Sequence, residues 1–276
     1  MKKLFLVFIV GLFLSTISLA KTRVLKDTNT VTFRGVVTYK TVAEASQKLL
    51  KLSNKLGKKE VIYLVLDTPG GYISAGLEFI QMVKALPQRV ITITNFAASM
   101  GFIFVQNFDN RYVLPHGTLM AHRAWMLEMG QVPGEFNVRS NYWRKKIYDM
   151  EKTVAKRLGM SLREYRKFSY NEYWADGIDC VKDKTADKIV SARCGKSLVD
   201  TYEDTIATFF GPIKVTWSKC PLITAPLKVD YSGFNFKALN NSGDKETLDM
   251  ISALLYNKQE FFEKYIKTNK FKRVFK

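Results

Sequence analysis

The run Val61 to Leu66, V-I-Y-L-V-L, contains no charged or amide position and ends in D-T-P-G-G. A stretch this short and this rich in β-branched residues leaves no face for water. It fits a strand buried on both sides, as in a parallel sheet. Arg89 to Thr94 (R-V-I-T-I-T) repeats the pattern, and Val31 to Val37 (V-T-F-R-G-V-V) reads as a strand and turn. Between them, Thr41 to Leu56 carries Val42, Ala45, Leu49, Leu50 and Leu52 close to helical spacing. Ile73 to Leu86 also reads as a helix, and Ser99 opens another. Strands alternating with helices predict right-handed β-α-β crossovers. Ligands and chemistry gather at the carboxyl ends of such strands, where Gly70, Gly71 and Ser99 fall.

Further on, Pro133 to Leu158 is expected to form a long charged helix. Phe136, Trp143, Ile147, Met150, Val154 and Leu158 share its apolar side, a stripe read as core or subunit contact. The texture changes beyond about residue 195. Gly211 to Phe236 holds Pro212, Pro221 and Pro226 among short β-like runs, and Lys245 to Ile266 has the pattern of an amphipathic helix before a basic tail, Lys267 to Lys276. The expected architecture is α/β, repeated β-α-β units around a parallel sheet, with a C-terminal α+β extension over residues 196–276.

At the N-terminus, M-K-K precedes the apolar run Leu4 to Leu14 and the small residues Ser18 and Ala20. The run is shorter than the roughly 20 residues that span a bilayer, and the pattern is that of a secretory signal peptide over residues 1–20, cut before Lys21. Export would place Cys180, Cys194 and Cys220 where disulfides form, and an odd count allows one internal pair. Cys180 with Cys194, closing a short loop, is the expected pair; zinc is disfavoured because no C-x-x-C spacing occurs and histidine is scarce. The formal charge of +18 is spread along the chain, which has no nucleic-acid-binding motif. A lysine-rich solvated surface accounts for it, with weak membrane-surface contact through the basic tail as the sharper alternative.

Two further stretches carry chemistry: N-F-A-A-S-M-G from Asn95 to Gly101, and L-P-H-G-T-L-M-A-H from Leu114 to His122. A serine at a strand-to-helix turn and a histidine closing a strand are nucleophile and general base candidates. The chain contains two histidines, His116 and His122, so few other groups can take a proton near neutral pH.

Taken in order, L-D-T-P-G-G-Y-I-S-A-G, A-A-S-M-G and L-P-H-G-T-L-M-A-H resemble the Clp protease proteolytic subunit family, with a similarity running from about Val31 to Val190. The resemblance implies the ClpP/crotonase fold and a catalytic domain over residues 21–195. It matches Ser99 to the nucleophile and His122 to the general base. Gly71 and Met100 match the positions whose backbone N–H groups form an oxyanion hole. The third triad position departs from the pattern. Counting back from the closing segment Ala186 to Val190 (A-D-K-I-V) sets Glu172 where the family has aspartate, with Trp174 at the following apolar position and Asn171 and Asp176 as alternatives. A glutamate can still accept the imidazole Nδ1–H. Lys184 stands where the family has glycine, which implies a changed turn. His116 falls at a small polar position and is read as a turn residue without a role.

The expected function is therefore an exported, ATP-independent serine peptidase acting on peptides or unfolded protein, assembled as a homo-oligomeric ring, with no cofactor and no metal. ATP-driven unfolding is not expected outside the cytoplasm. A serine–lysine signal peptide peptidase fits less well, since it does not explain the serine block followed by an L-P block ending in histidine; a crotonase fits less well because nothing suggests coenzyme A binding and export disfavours that cofactor. The alternative from another class is a non-catalytic scaffold or binding subunit of an envelope assembly.

Overall fold

The computed structural model describes residues 22–126, 129–208 and 210–235. The signal-peptide segment, the helix expected from Lys245 and the basic tail lie outside them. In chain order the elements are β1 (Arg23–Leu25), β2 (Thr30–Arg34), α1 (Tyr39–Ser53), β3 (Val61–Thr68), α2 (Ile73–Lys84), β4 (Arg89–Ala98), α3 (Met100–Asn107) and β5 (Asn110–Ala121). Then come α4 (Glu135–Leu158), α5 (Leu162–Phe168), β6 (Tyr173–Ala175), α6 (Gly177–Lys182), β7 (Lys188–Ile189), β8 (Ala192–Cys194), β9 (Thr201–Thr208), β10 (Gly211–Ser218) and β11 (Lys228–Asp230).

The main sheet runs β2-β3-β4-β5-β6, with β7 paired to the first half of β5. Strands β2 to β5 are parallel and β6 is antiparallel. Alternation along β3 explains its continuous apolar sequence: Ile62, Leu64 and Leu66 join the helix-covered core, while Val65 points to the other face with Ile91, Ile93 and Tyr112. Phe33, Phe79 and Phe104 pack as a ring cluster with centroids 4.9 to 5.3 Å apart, so one strand and two helices are pinned together. Truncating a ring such as that of Phe79, which is fully buried, would cost about 3–5 kcal/mol. Helix α1 starts where it does because Thr38 and Thr41 form a reciprocal capping box.

After β7 the chain leaves the main sheet, and beyond β8 it forms an antiparallel three-stranded sheet, β11-β10-β9, packed on Ile213, Val215 and Phe234. The β-like runs expected over Gly211 to Phe236 are β10 and β11. Strand β1 pairs in parallel with β8.

The disulfide joins Cys194 to Cys220, and Cys180 is free and buried. This corrects the Cys180–Cys194 pairing, and the reason is topological. Cys180, on α6, belongs to the core on the helix-covered side of the sheet, whereas Cys194 packs on the opposite side. Burial pushes the Cys180 thiol up to about 11.

Candidate active site

Ser99 stands between the end of β4 and the first residue of α3 with φ 55° and ψ −115°. A non-glycine residue holds such dihedrals only when its surroundings impose them. Its N–H donates to the Met120 carbonyl at 2.9 Å, tying the turn to β5. Strand β5 then delivers His122 one residue past its end. The Ser99 Oγ to His122 Nε2 distance is 2.8 Å, a full hydrogen bond between the two groups that the sequence singled out.

The P-G-G loop lies directly against this turn. A Cβ on Gly70, whose φ is 91°, would sit 2.6 Å from both the Ala98 carbonyl oxygen and the Ser99 Cβ. Gly71, with φ 148°, would clash with the Val37 carbonyl. Glycine is therefore required for the loop to approach the serine. Val37 donates to the Gly70 carbonyl at 2.7 Å and accepts from the Tyr72 N–H at 2.8 Å, so the N–H of Gly71 between them is turned away from this bridge. Met100 opens α3, and a first-turn N–H has no carbonyl four residues back in its own helix.

Beneath the loop, Asp67 is fully buried and is held on both oxygens. Arg34 Nε donates to Oδ2 at 3.2 Å and Asn95 Nδ2 to Oδ1 at 3.2 Å. Asn95 is skipped in the registers of β4 with both of its neighbours, and the irregularity lets its side chain reach Asp67. Arg34 also donates to the carbonyls of Pro221 and Ile223, linking this support to the segment that follows the disulfide-bonded Cys220. Asp67 and Arg34 were not among the residues read from the sequence. An aspartate ending an apolar strand was the available signal.

Glu172 precedes β6. The antiparallel register pairs Met120 with Trp174 and Ala121 with Tyr173, so one further step sets Glu172 across from His122. Its Oε2 accepts from the Trp174 indole at 3.0 Å, and the Trp174 ring packs against Phe96, Ala98 and Met120 under the serine turn. Glu172 has φ 64°. Ser99, Glu172 and Lys184 are the non-glycine residues with positive φ among those described. Lys184 at φ 61° keeps a left-handed turn where glycine was expected. Of the alternatives, Asn171 is exposed, and Asp176 is exposed and caps α6 through the Ile178 N–H.

His116 is not in a turn but in β5, where four residues, Leu114 to Gly117, stand opposite Asn95 alone. This wide bulge absorbs Pro115 and leaves His116 exposed, away from Ser99.

A cavity of about 360 Å³ opens beside the pair. Besides Ser99, His122 and Met100, its walls include Ile103, Trp125, Trp143, Ile147 and Met150. The middle of the α4 stripe therefore faces this cavity, which corrects its reading as core or subunit contact. Val154 and Leu158, near the end of α4, are buried in the core, and Met150 packs against it. The stripe was legible, but not what it faces, because α4 folds back over the site from some forty residues away.

A strained serine hydrogen-bonded to an imidazole, beside a glycine loop and a helix N-terminus at the ends of parallel strands, is an arrangement suited to acyl transfer of the serine-hydrolase kind. The comparisons with known proteins agree. The model of the Clp protease family matches residues 16–193, and the chain belongs to that family. It is 29% identical over 121 residues to the ATP-dependent Clp protease proteolytic subunits of Streptococcus pyogenes serotype M5 (strain Manfredo) and serotype M49 (strain NZ131). The same identity holds for that of Streptococcus equi subsp. zooepidemicus (strain H70). Each alignment covers 41% of this chain and 60% of the relative, so the chain spans about 60% of the length of these curated relatives.

Proposed function

We propose that this chain is a serine peptidase in which Ser99 is the nucleophile and His122 the general base. The observation that carries the reading is the 2.8 Å contact between Ser99 Oγ and His122 Nε2 at a strained turn. With Nδ1 protonated, Nε2 is free to take the hydroxyl proton as Oγ attacks the peptide carbonyl. The negative charge that develops on the carbonyl oxygen meets the N–H groups of Gly71 and Met100. The imidazolium then protonates the departing amine, and water releases the acyl group by the reverse proton path. Glu172 orients the imidazole and stabilises its charged form. Its place in the β5–β6 register and its left-handed backbone support that role.

Export, ATP independence and a ring of identical subunits complete the proposal. The Cys194–Cys220 disulfide supports an oxidising compartment. Val138 and Tyr142, four residues apart on α4 and exposed, offer apolar area for a second subunit. The test is hydrolysis of fluorogenic peptides by the mature chain without ATP, with assembly size measured in parallel. Turnover that disappears in Ser99→Ala supports the reading. A folded, assembled protein that cleaves none of a broad peptide set refutes it.

A further inference from the structure

The cavity beside Ser99 is apolar along most of its wall, but α4 and α5 contribute two polar groups that the acyl-transfer chemistry does not use. Glu151 lines it while only 8% exposed, and its Oε2 accepts from Arg166 Nε at 2.8 Å. Its second oxygen makes no hydrogen bond among the described residues. Tyr165 lines the same cavity at 3% exposure, and its hydroxyl is likewise without a hydrogen-bond partner among the described residues. Both residues line the cavity, so a bound polar group could replace the water that meets the open carboxylate oxygen and the hydroxyl. Burial first, and then the Glu151 charge, hold the Tyr165 hydroxyl well above its ordinary range, so it stays a neutral phenol beside the carboxylate.

The charge balance of the wall is one-sided. Glu151 is the acidic residue lining the cavity, and no lysine or arginine lines it among the described residues. Arg166, the ion-pair partner of Glu151, has a half-exposed side chain and is not part of the cavity wall, and its Nε bonds one of the two Glu151 oxygens. Trp125, Trp143 and Tyr165 add aromatic rings to the wall, surfaces that attract a cation as well as an alkyl chain.

We propose that this cavity receives the substrate side chain on the acyl side of the cleaved bond, and that Glu151 with Tyr165 selects one with a long apolar stem and a cationic tip, lysine first. The alkyl stem lies along Ile103, Ile147 and Met150. The ammonium meets the open Glu151 oxygen and the Tyr165 hydroxyl. Glu151 and Tyr165 act on specificity and take no part in bond breaking. The inference rests on the peptidase reading above.

The experiment compares fluorogenic peptides that differ only at that residue, lysine against its uncharged isostere norleucine, in the wild-type chain and in Glu151→Gln. Glutamine keeps the shape and an oxygen for Arg166. The readout is the ratio of kcat/KM for lysine over norleucine, in which effects common to both substrates cancel. The wild type is expected to give a ratio of one or more, and Glu151→Gln to lower it by about tenfold or more, the scale of a lost charge-assisted hydrogen bond. Tyr165→Phe, which keeps the ring, is expected to lower it by a smaller factor. A wild type that prefers norleucine severalfold, or a ratio unchanged in a folded Glu151→Gln, overturns the proposal while leaving the peptidase reading standing. Absence of cleavage of every peptide by the folded wild type overturns the peptidase reading and this proposal with it.

Discussion

Breaking the Cys194–Cys220 bond, by reduction or in the double variant Cys194→Ser/Cys220→Ser, removes a cross-link between residues 26 apart in sequence. Loop-closure entropy for a ring of that size amounts to about 3.5 kcal/mol at 25 °C. For a chain of this length each kcal/mol moves the melting temperature by about 2–4 °C, so a fall of roughly 7–14 °C is expected. The bond also holds in place the segment whose Pro221 and Ile223 carbonyls accept from Arg34, and Arg34 in turn supports Asp67 below the P-G-G loop. Loosening it should therefore be felt beyond β8 and β10. The assay is thermal unfolding with and without reductant, on the wild type, the double variant and Cys180→Ala. The reductant shift should persist in Cys180→Ala and vanish in the double variant. A wild-type shift of only a degree or two, or a shift abolished by Cys180→Ala, would refute both the pairing and the magnitude.

In the proposed triad, Glu172→Gln removes the charge assigned to stabilising the imidazolium while keeping shape. A fall in kcat of about a hundredfold to ten-thousandfold with little change in KM is expected; steady-state kinetics showing less than a threefold effect would remove Glu172 from the triad. A third prediction concerns Asp187, which accepts from the Arg111 side chain at 2.7 and 3.0 Å and from its backbone N–H at 2.8 Å. Burial tends to raise its carboxyl, but these bonds and the Arg111 and Arg157 charges outweigh it, holding the group below its ordinary value of 3.8. A carboxylate lowered in the folded state stabilises it above the ordinary value and loses that contribution as pH falls. Asp187→Asn should thus cost about 1–3 kcal/mol at pH 7, since it weakens charged hydrogen bonds to a largely buried arginine. Denaturant titrations at pH 7 and pH 3 should show the penalty shrinking in acid; a penalty independent of pH would contradict the assignment.

The parallel core was legible because burial on both faces leaves a signature that needs no context. V-I-Y-L-V-L can hardly be anything but a central strand, and R-V-I-T-I-T follows it. The end of β4 was less visible. Phe96, Ala97 and Ala98 are buried in the strand, yet alanine carries little strand preference, so the expected strand stops at Thr94. A strand ending at His122 was read, but its continuity back to Asn110 was obscured by Pro115 and Gly117, which signal a turn and are here absorbed by a bulge. Ser99, His122 and the P-G-G loop lie close in sequence and were found together. The cavity wall was not, because Trp143, Glu151 and Tyr165 reach the site only through the packing of α4 and α5. The cysteine pairing failed for a similar reason: nearness in sequence says nothing about which side of the sheet each sulfur occupies.

The central claim is that Ser99 is activated by His122. A fluorophosphonate probe tests it most directly, since it reports on the nucleophile without any assumption about substrate. The wild-type chain should be labelled stoichiometrically. Labelling should be absent in Ser99→Ala and slowed by orders of magnitude in His122→Ala. A folded wild type that takes up no probe, or labelling that survives in Ser99→Ala, would contradict the claim.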